Sequence, residues 1–356
     1  MSLLNNVAGL KRLVYIIAIM IFCIWSKRQV SAQTRGDIRL MFYNTENFFD
    51  TEKDSITNDG DYTPDGKYHW TPEKYKHKLT NIYKVIAGVG GWQPPEIIGL
   101  SEIENRHVLE DLLRKTPLSK FQYQIVHFDS PDPRGIDVAL LYRSDRASLL
   151  SERPIYIQFP GEPQRKTRNI LLAKLLISNL DTLNVLVNHW PSRRGGEIES
   201  EKYRICVASI LRNSIDSIIA SNPKSKIIIM GDFNDDTDNT SILETLRAEK
   251  PPQHRFINDQ LYNLTSTSDL SLKKGTYCFM GNWQTFDQFM VSGSLLAAKH
   301  GIICKPDSYH VFNAEFLLQT DERYAVMKPF PTYAGLKYLG GFSDHLPVYL
   351  DLFIKN

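Results

Sequence analysis

Cysteine, excess charge, long apolar runs and linker composition are all scarce in this 356-residue chain, and each shortage removes a class of protein. Of its four cysteines, Cys23 lies in an apolar stretch, while Cys206, Cys278 and Cys304 are odd in number and lack metal-ligand spacing. A disulfide framework and a zinc module are thereby excluded, leaving at most one disulfide if the compartment oxidises. Lys and Arg total 42 against 40 Asp and Glu, a formal charge of +2. A protein that grips duplex DNA electrostatically shows a basic excess or stripe, so any nucleic-acid contact here must be local. No repeat and no Pro/Gly/Ser-rich linker interrupts residues 33–356, which therefore read as a single domain.

The longest apolar run, Leu13–Trp25, has thirteen residues, short of the roughly 20 that a membrane-spanning helix needs. Lys11 and Arg12 precede it and Val30-Ser31-Ala32 follow, the pattern of a secretory signal peptide over residues 1–32. Cleavage there removes four basic residues and no acidic one, takes the formal charge to −2, and implies a secreted or periplasmic protein. Lys27 and Arg28 leave an uncleaved membrane anchor as the alternative. The residues before Cys23, Met20-Ile21-Phe22, lack the small residue of a lipoprotein cleavage site.

What remains is 42% hydrophobic and 23% charged overall, enough apolar content for an ordinary globular core. Strand-like runs fall at 38–44, 96–103, 121–128, 135–143, 170–177, 183–190, 226–233, 286–293 and 345–354; helical stretches at 72–89, 105–115, 197–220 and 240–249. Many strands with few, separated helices predict sheets packed on each other with helices outside, not an alternating barrel.

Several of these strands end in chemistry. In IIIMGDFND four apolar residues drive Ile227–Met230 into a sheet, Gly231 permits a turn, and Asp232 and Asn234 emerge in a two-residue period. MFYNTENFF ends in Asn44 and Glu46, GLSEIEN in Glu102 and Glu104, and VNHWPSR in Asn188 and His189. Near the end of the chain, GGFSDHLPVYLDL sets Asp344 and His345 at the mouth of an alternating strand. Carboxylates and carboxamides at strand tips suit an oxygen-liking cation and a phosphoryl group, and functional groups belong where a rigid element meets a loop.

Taken in order, YNTEN, GLSEIEN, GIDVALLYR, NHWPSR, GDFND, TFDQFMVSG and GFSDHLPV resemble the endonuclease/exonuclease/phosphatase superfamily along nearly all of residues 37–354. Its members include pancreatic deoxyribonuclease, apurinic-site endonucleases, sphingomyelinases and inositol polyphosphate phosphatases. The resemblance implies an α/β fold, a four-layered α-β-β-α sandwich of two mixed β-sheets flanked by helices, with the site at one edge. It implies Glu102 as metal-binding glutamate, with Asn44 supporting it and Asp344 as a further metal or water contact. Asp232 matches the residue that directs the attacking water, Asn234 a phosphate-oxygen contact, His345 the phosphoryl-contacting histidine, and Asp287 the carboxylate that orients that imidazole. His189 matches the histidine with which deoxyribonuclease assists the leaving oxygen, whereas apurinic enzymes carry a different residue there. The tyrosine that apurinic enzymes place before GIDVALLYR is also unmatched; Arg134 and Gly135 stand there.

The implied activity is Mg2+-dependent phosphate-ester hydrolysis, with Mn2+ or Ca2+ as substitutes. A phosphodiesterase or endonuclease comes first; a sphingomyelinase-like or inositol-phosphate activity is the alternative, and a non-catalytic binding protein the remote one. The partner is then a phosphate-ester substrate, either nucleic acid or a phospholipid or phosphosugar, with no obligate protein partner and a monomeric chain. Arg134, Arg193 and Tyr333 are the candidate substrate contacts, and Tyr324, Phe330 and Tyr338 the aromatic company of Tyr333 in a loop beside the site.

Other residues receive plainer expectations. Glu46 and Glu104 are expected behind the ligands or at the surface, and Asp137 as a brace for His345 or an arginine. NDGDYTPDG, residues 58–66, has Pro64 where a calcium loop needs glycine and no closing glutamate at Trp70, so it reads as a surface loop. His69 and His77 lack acidic partners at ligand spacing, and Ser343 lacks the following glycine of a nucleophile elbow.

Overall fold

Strict alternation of buried side chains explains the architecture. In the computed structural model, which describes residues 35–55, 57–267 and 275–355, β1 (Ile38–Phe48) sends Leu40 and Phe42 one way and Met41 and Tyr43 the other, and all four are buried. A strand buried on both faces needs a layer on each side. One layer is supplied by helices α1 (Pro72–Gly90) and α2 (Arg106–Arg114), which pack with Met41 and Tyr43. The other is a second sheet.

The remaining strands, in chain order, are β2 (Ile97–Ile103), β3 (Tyr123–His127), β4 (Asp137–Arg143), β5 (Ala147–Ile155), β6 (Ile170–Ile177), β7 (Asp181–His189), β8 (Lys226–Asp232), β9 (Ala248–Glu249), β10 (Leu261–Asn263), β11 (Tyr277–Phe279), β12 (Asn282–Gln284), β13 (Asp287–Ser292), β14 (Gly301–Val311), β15 (Leu318–Asp321), β16 (Val326–Pro329), β17 (Tyr333–Ala334), β18 (Lys337–Tyr338) and β19 (Val348–Lys355). Six of them form a sheet in the order β14-β19-β1-β2-β4-β3, and seven form a sheet in the order β5-β6-β7-β8-β13-β10-β9. Both are mixed: β1 and β2 run parallel, as do β7 and β8, among antiparallel neighbours. Helix α3 (Glu197–Ser221) covers the outer face of the second sheet over Leu186, Ile227 and Ile229. The order helix, sheet, sheet, helix is the expected α-β-β-α sandwich, and from Gly36 onward the chain is one compact unit. The short α4 (Gly293–Ala297) follows β13.

Most expected strand bounds fall within three residues of those observed, and the largest differences lie at residues 240–249, β5 and β14. Residues 240–249 form a single π-helical turn, Ser241–Thr245, and then β9, because Ser241 Oγ donates to the buried Asp235 and Arg247 takes a left-handed φ of 59° that ends the helix. Strands β5 and β14 had no alternating signal. The first is an exposed edge strand containing Pro154, and the second is bulged between Cys304 and Tyr309. Cys206, Cys278 and Cys304 are free. The leader expected over residues 1–32 lies outside the described residues, among which no helix is long and apolar enough to cross a membrane.

Candidate active site

Register builds the site. Parallel pairing sets His189 of β7 beside Asp232 of β8, and antiparallel pairing sets Asp287 of β13 on the other side of Asp232. These residues continue the inward-facing series Val187, Met230 and Phe289, so all three side chains point between the two sheets. A one-residue slip of any of these strands would turn its member outward. From the first sheet, Asn44 continues the inward series of Leu40 and Phe42. Glu102 occupies a bulge in β2 between Ser101 and Ile103 with a left-handed φ of 60°. That bulge re-aims a half-buried carboxylate, and the strained backbone of a non-glycine residue is characteristic of functional positions.

Asp232 is the hub. Its Oδ2 accepts from Asn44 Nδ2 at 3.0 Å and its Oδ1 from the Asn234 N–H at 3.0 Å. The same Oδ2 lies 3.6 Å from His189 Nε2 and 3.8 Å from His345 Nε2. Behind His345, Asp287 Oδ2 meets Nδ1 at 2.7 Å, while Tyr277 lies against the imidazole face at 4.8 Å between ring centroids. Ser343 fixes the approach of that turn by donating to the Asn44 carbonyl at 2.7 Å and accepting from the His345 N–H at 3.1 Å. Glu102 Oε2 accepts from the Asn47 N–H at 2.8 Å, and Oε1 faces His189 Nε2 at 3.9 Å, too far for a hydrogen bond.

Burial and neighbours divide the protonation states. Burial opposes charge on His345, yet Asp287 and Asp232 outweigh it and raise its pKa well above the ordinary imidazole value. His189 is buried without such a partner, faces Arg168 and Arg134, and is pushed well below that value. Asp232 is pushed up to about 7, first by burial and then by Asp287, with His345 and the two hydrogen bonds pulling the other way. Asp344 is likewise raised by burial and Glu102, against His345 and Lys78. At neutral pH the cleft thus holds a charged imidazole and a neutral one on either side of a carboxylate close to its titration point.

The cleft measures about 620 Å³ and is lined by nine of the eleven expected residues: Asn44, Glu102, Arg134, His189, Arg193, Asp232, Asn234, Asp344 and His345. Asp287 stands behind His345, fully buried. Its carriers come from segments far apart in the chain. The family model for the Endonuclease/Exonuclease/phosphatase family matches residues 39–354.

The chain belongs to the endonuclease/exonuclease/phosphatase family. That places it among phosphoester hydrolases. No curated protein matches it by sequence. Among solved structures it is similar to D. rerio TDP2 complexed with a single-strand DNA product, at 12% identity and a TM-score of 0.54, covering 88% of this chain and 98% of that one. The human Nocturnin catalytic domain with a bound sulfate anion aligns at 16% identity and 0.51, over 88% and 93%. A mannosyl-6-phosphatase of Bacteroides thetaiotaomicron aligns at 16% identity and 0.53, over 88% and 99%. At these identities the likeness establishes the fold.

Several expectations about individual residues change. Tyr333 does not reach the cleft: it lies over a separate hollow of about 250 Å³ with Tyr62, Tyr68 and Trp70, and its hydroxyl is spent on the Tyr68 carbonyl at 2.9 Å. Arg193 lines the cleft but is committed to the Asn234 carbonyl, Asp235, Asn239 and Glu197, so it shapes the loop after β8. Asn44 donates from its amide to Asp232 and accepts from the Glu46 N–H at Oδ1, which makes it chiefly a clamp on Asp232. Asp137 braces His127, at 3.1 Å, instead of His345 or an arginine. Glu46 is half-buried, 3.9 Å from Lys78, and accepts from the Thr332 N–H at 2.6 Å, behind the ligands as expected. Tyr277 and Lys78 were missing from the sequence reading, since the groups they meet lie far away in the chain and leave no local signal.

Proposed function

We propose that this protein hydrolyses phosphate diesters of the nucleic-acid type by in-line attack of water directed by Asp232. One observation carries this reading: the buried Asp232 carboxylate has an imidazole nitrogen of His189 and one of His345 at 3.6 and 3.8 Å from the same oxygen, all facing one cleft. Asp232 is placed to orient a water and take its proton, which its raised pKa favours. His345, aimed by Asp287 and charged, opposes the negative charge that grows on the phosphoryl oxygens. Asn234 donates one amide hydrogen to the Trp190 carbonyl at 3.1 Å and retains the other for a phosphate oxygen. His189, held neutral, can donate from one ring nitrogen toward the departing oxygen.

The residues fit a hard divalent cation, since Glu102 and Asp344 offer carboxylate oxygens and, among the described residues, no hydrogen-bond donor reaches Glu102 Oε1. Glu102 and Asp344, with Asn44 supporting, would hold Mg2+, or Mn2+ or Ca2+ in its place. When bound, the ion would supply a Lewis acid to the phosphoryl group.

A diester substrate is favoured by the cations beyond the mouth. Arg134 and Arg194 are shared between the cleft and a neighbouring groove of about 460 Å³ that also carries Arg165, Lys166 and Arg168, room for a second phosphate. TDP2, in its structure with single-strand DNA product, supports the same class. The hollow lined by Tyr62, Tyr68, Trp70 and Glu46 favours a second reading, a phosphosugar substrate, in line with the mannosyl-6-phosphatase neighbour. Plasmid DNA, single-stranded DNA, RNA, sphingomyelin, inositol phosphates and hexose phosphates should be offered with Mg2+ and the products identified. Cleavage of nucleic acid to phosphomonoester ends is expected; release of inorganic phosphate from the sugars alone would favour the second reading. Full turnover in excess EDTA, or near-normal hydrolysis by both D232A and H345A, would refute the mechanism.

Secretion after cleavage at Ala32 and a monomeric state belong to the same proposal. Amino-terminal sequencing of the exported protein and its elution volume on gel filtration test them.

A further inference from the structure

A second group of carboxylates forms where the loop after β1 meets the end of β2, outside the cleft. Oxygens of Asp54, Asp59 and Glu104 lie within 4.8 Å of one another. Asp50 stands beside them, its N–H donating to Glu104 Oε2 at 2.7 Å. Two features separate this group from a solvated acidic loop. Asp59 is only 1% exposed, and its Oδ1 has no hydrogen-bond partner; a buried carboxylate oxygen without a donor is costly unless something else satisfies it. Among the described residues, moreover, no Lys, Arg or His pairs with Asp50, Asp54, Asp59 or Glu104.

We propose that Asp54, Asp59 and Glu104 bind one Ca2+ ion, distinct from the ion of the cleft. Every donor is oxygen, which excludes the softer transition metals. Three carboxylates, two on an irregular loop and one at a strand end, suit the flexible coordination of Ca2+ better than the strict octahedron of Mg2+, which takes few carboxylates and keeps several waters. The position has a structural consequence. The Glu104 N–H donates to the Phe48 carbonyl at 3.2 Å, and the Asn47 N–H holds Glu102 two residues before Glu104. An ion here fastens the loop to the strand ends that carry Asn44 and Glu102. The segment 58–66, read from sequence as a surface loop, thus contributes a buried ligand through Asp59.

An E102A background separates the two ions. Full-length E102A protein stripped with chelator and titrated with CaCl2 in a calorimeter should show one site, and Tm should rise by about 5 °C at a hundredfold excess over Kd. Adding D59N, or D54N, should abolish both effects. Absence of Ca2+ binding by E102A, or unchanged binding in whichever double variant folds, overturns the proposal. MgCl2 filling the same site with equal Kd overturns the choice of ion.

Discussion

The end of β2 feeds two buried acidic clusters, and they differ in what faces them. Around Asp232 a charged imidazole and two amide donors answer the carboxylate, and its pKa stops at about 7. Around Glu104 burial acts first, the Asp50 N–H opposes it, and Asp50, Asp54 and Asp59 push further, up to about 9. Burial sets the direction in both places; neighbours set how far it goes. The two histidines repeat the lesson. Each stands within 4 Å of the same Asp232 oxygen, yet only His345 has Asp287 behind it, and the two pKa values move in opposite directions.

The contrast can be broken most severely at the hub. D232N keeps the shape and removes the base, so kcat on a diester should fall about 10³-fold or more with the fold unchanged by circular dichroism. D287N removes the charge that holds His345 protonated. About 10²-fold should be lost from kcat/KM, and the alkaline limb of its pH profile should move to lower pH, since the imidazolium gives up its proton more readily.

Glu104 tests the other cluster in chelator-treated protein. Its folded-state pKa lies above its unfolded value, so the native state holds a proton that the unfolded state releases. The resulting stability is complete below about 4.5 and is lost as pH rises through about 9. Wild type should therefore lose about 2 kcal/mol between pH 5 and pH 7 relative to E104Q, measured by urea unfolding. A parallel pH response in the two proteins would mean that Glu104 is already ionised. The smallest effect is expected for H189A: about tenfold on a substrate with a poor leaving group and little on a nitrophenyl ester, because assistance to the departing oxygen matters only when it leaves reluctantly.

Much of the site was legible in the sequence because it sits at strand ends, where an apolar run stops at a polar residue. Asp232, Asn44 and His189 stand out against the buried residues that precede them. Tyr333 was misplaced because a loop aromatic carries no periodicity to say which hollow it covers. The Asp54, Asp59 and Glu104 cluster was hidden for a related reason: its members come from a loop and a strand end more than forty residues apart in the chain.

By itself the sequence marked most of the long strands and the polar donors at their ends, since these follow from side-chain patterning along a local stretch. Only the tertiary structure decided that His189, Asp232 and Asp287 share one row, that His345 is charged and His189 is not, and that Asp59 is buried among acids. Register and protonation depend on groups brought close through space, and a linear pattern does not record those distances.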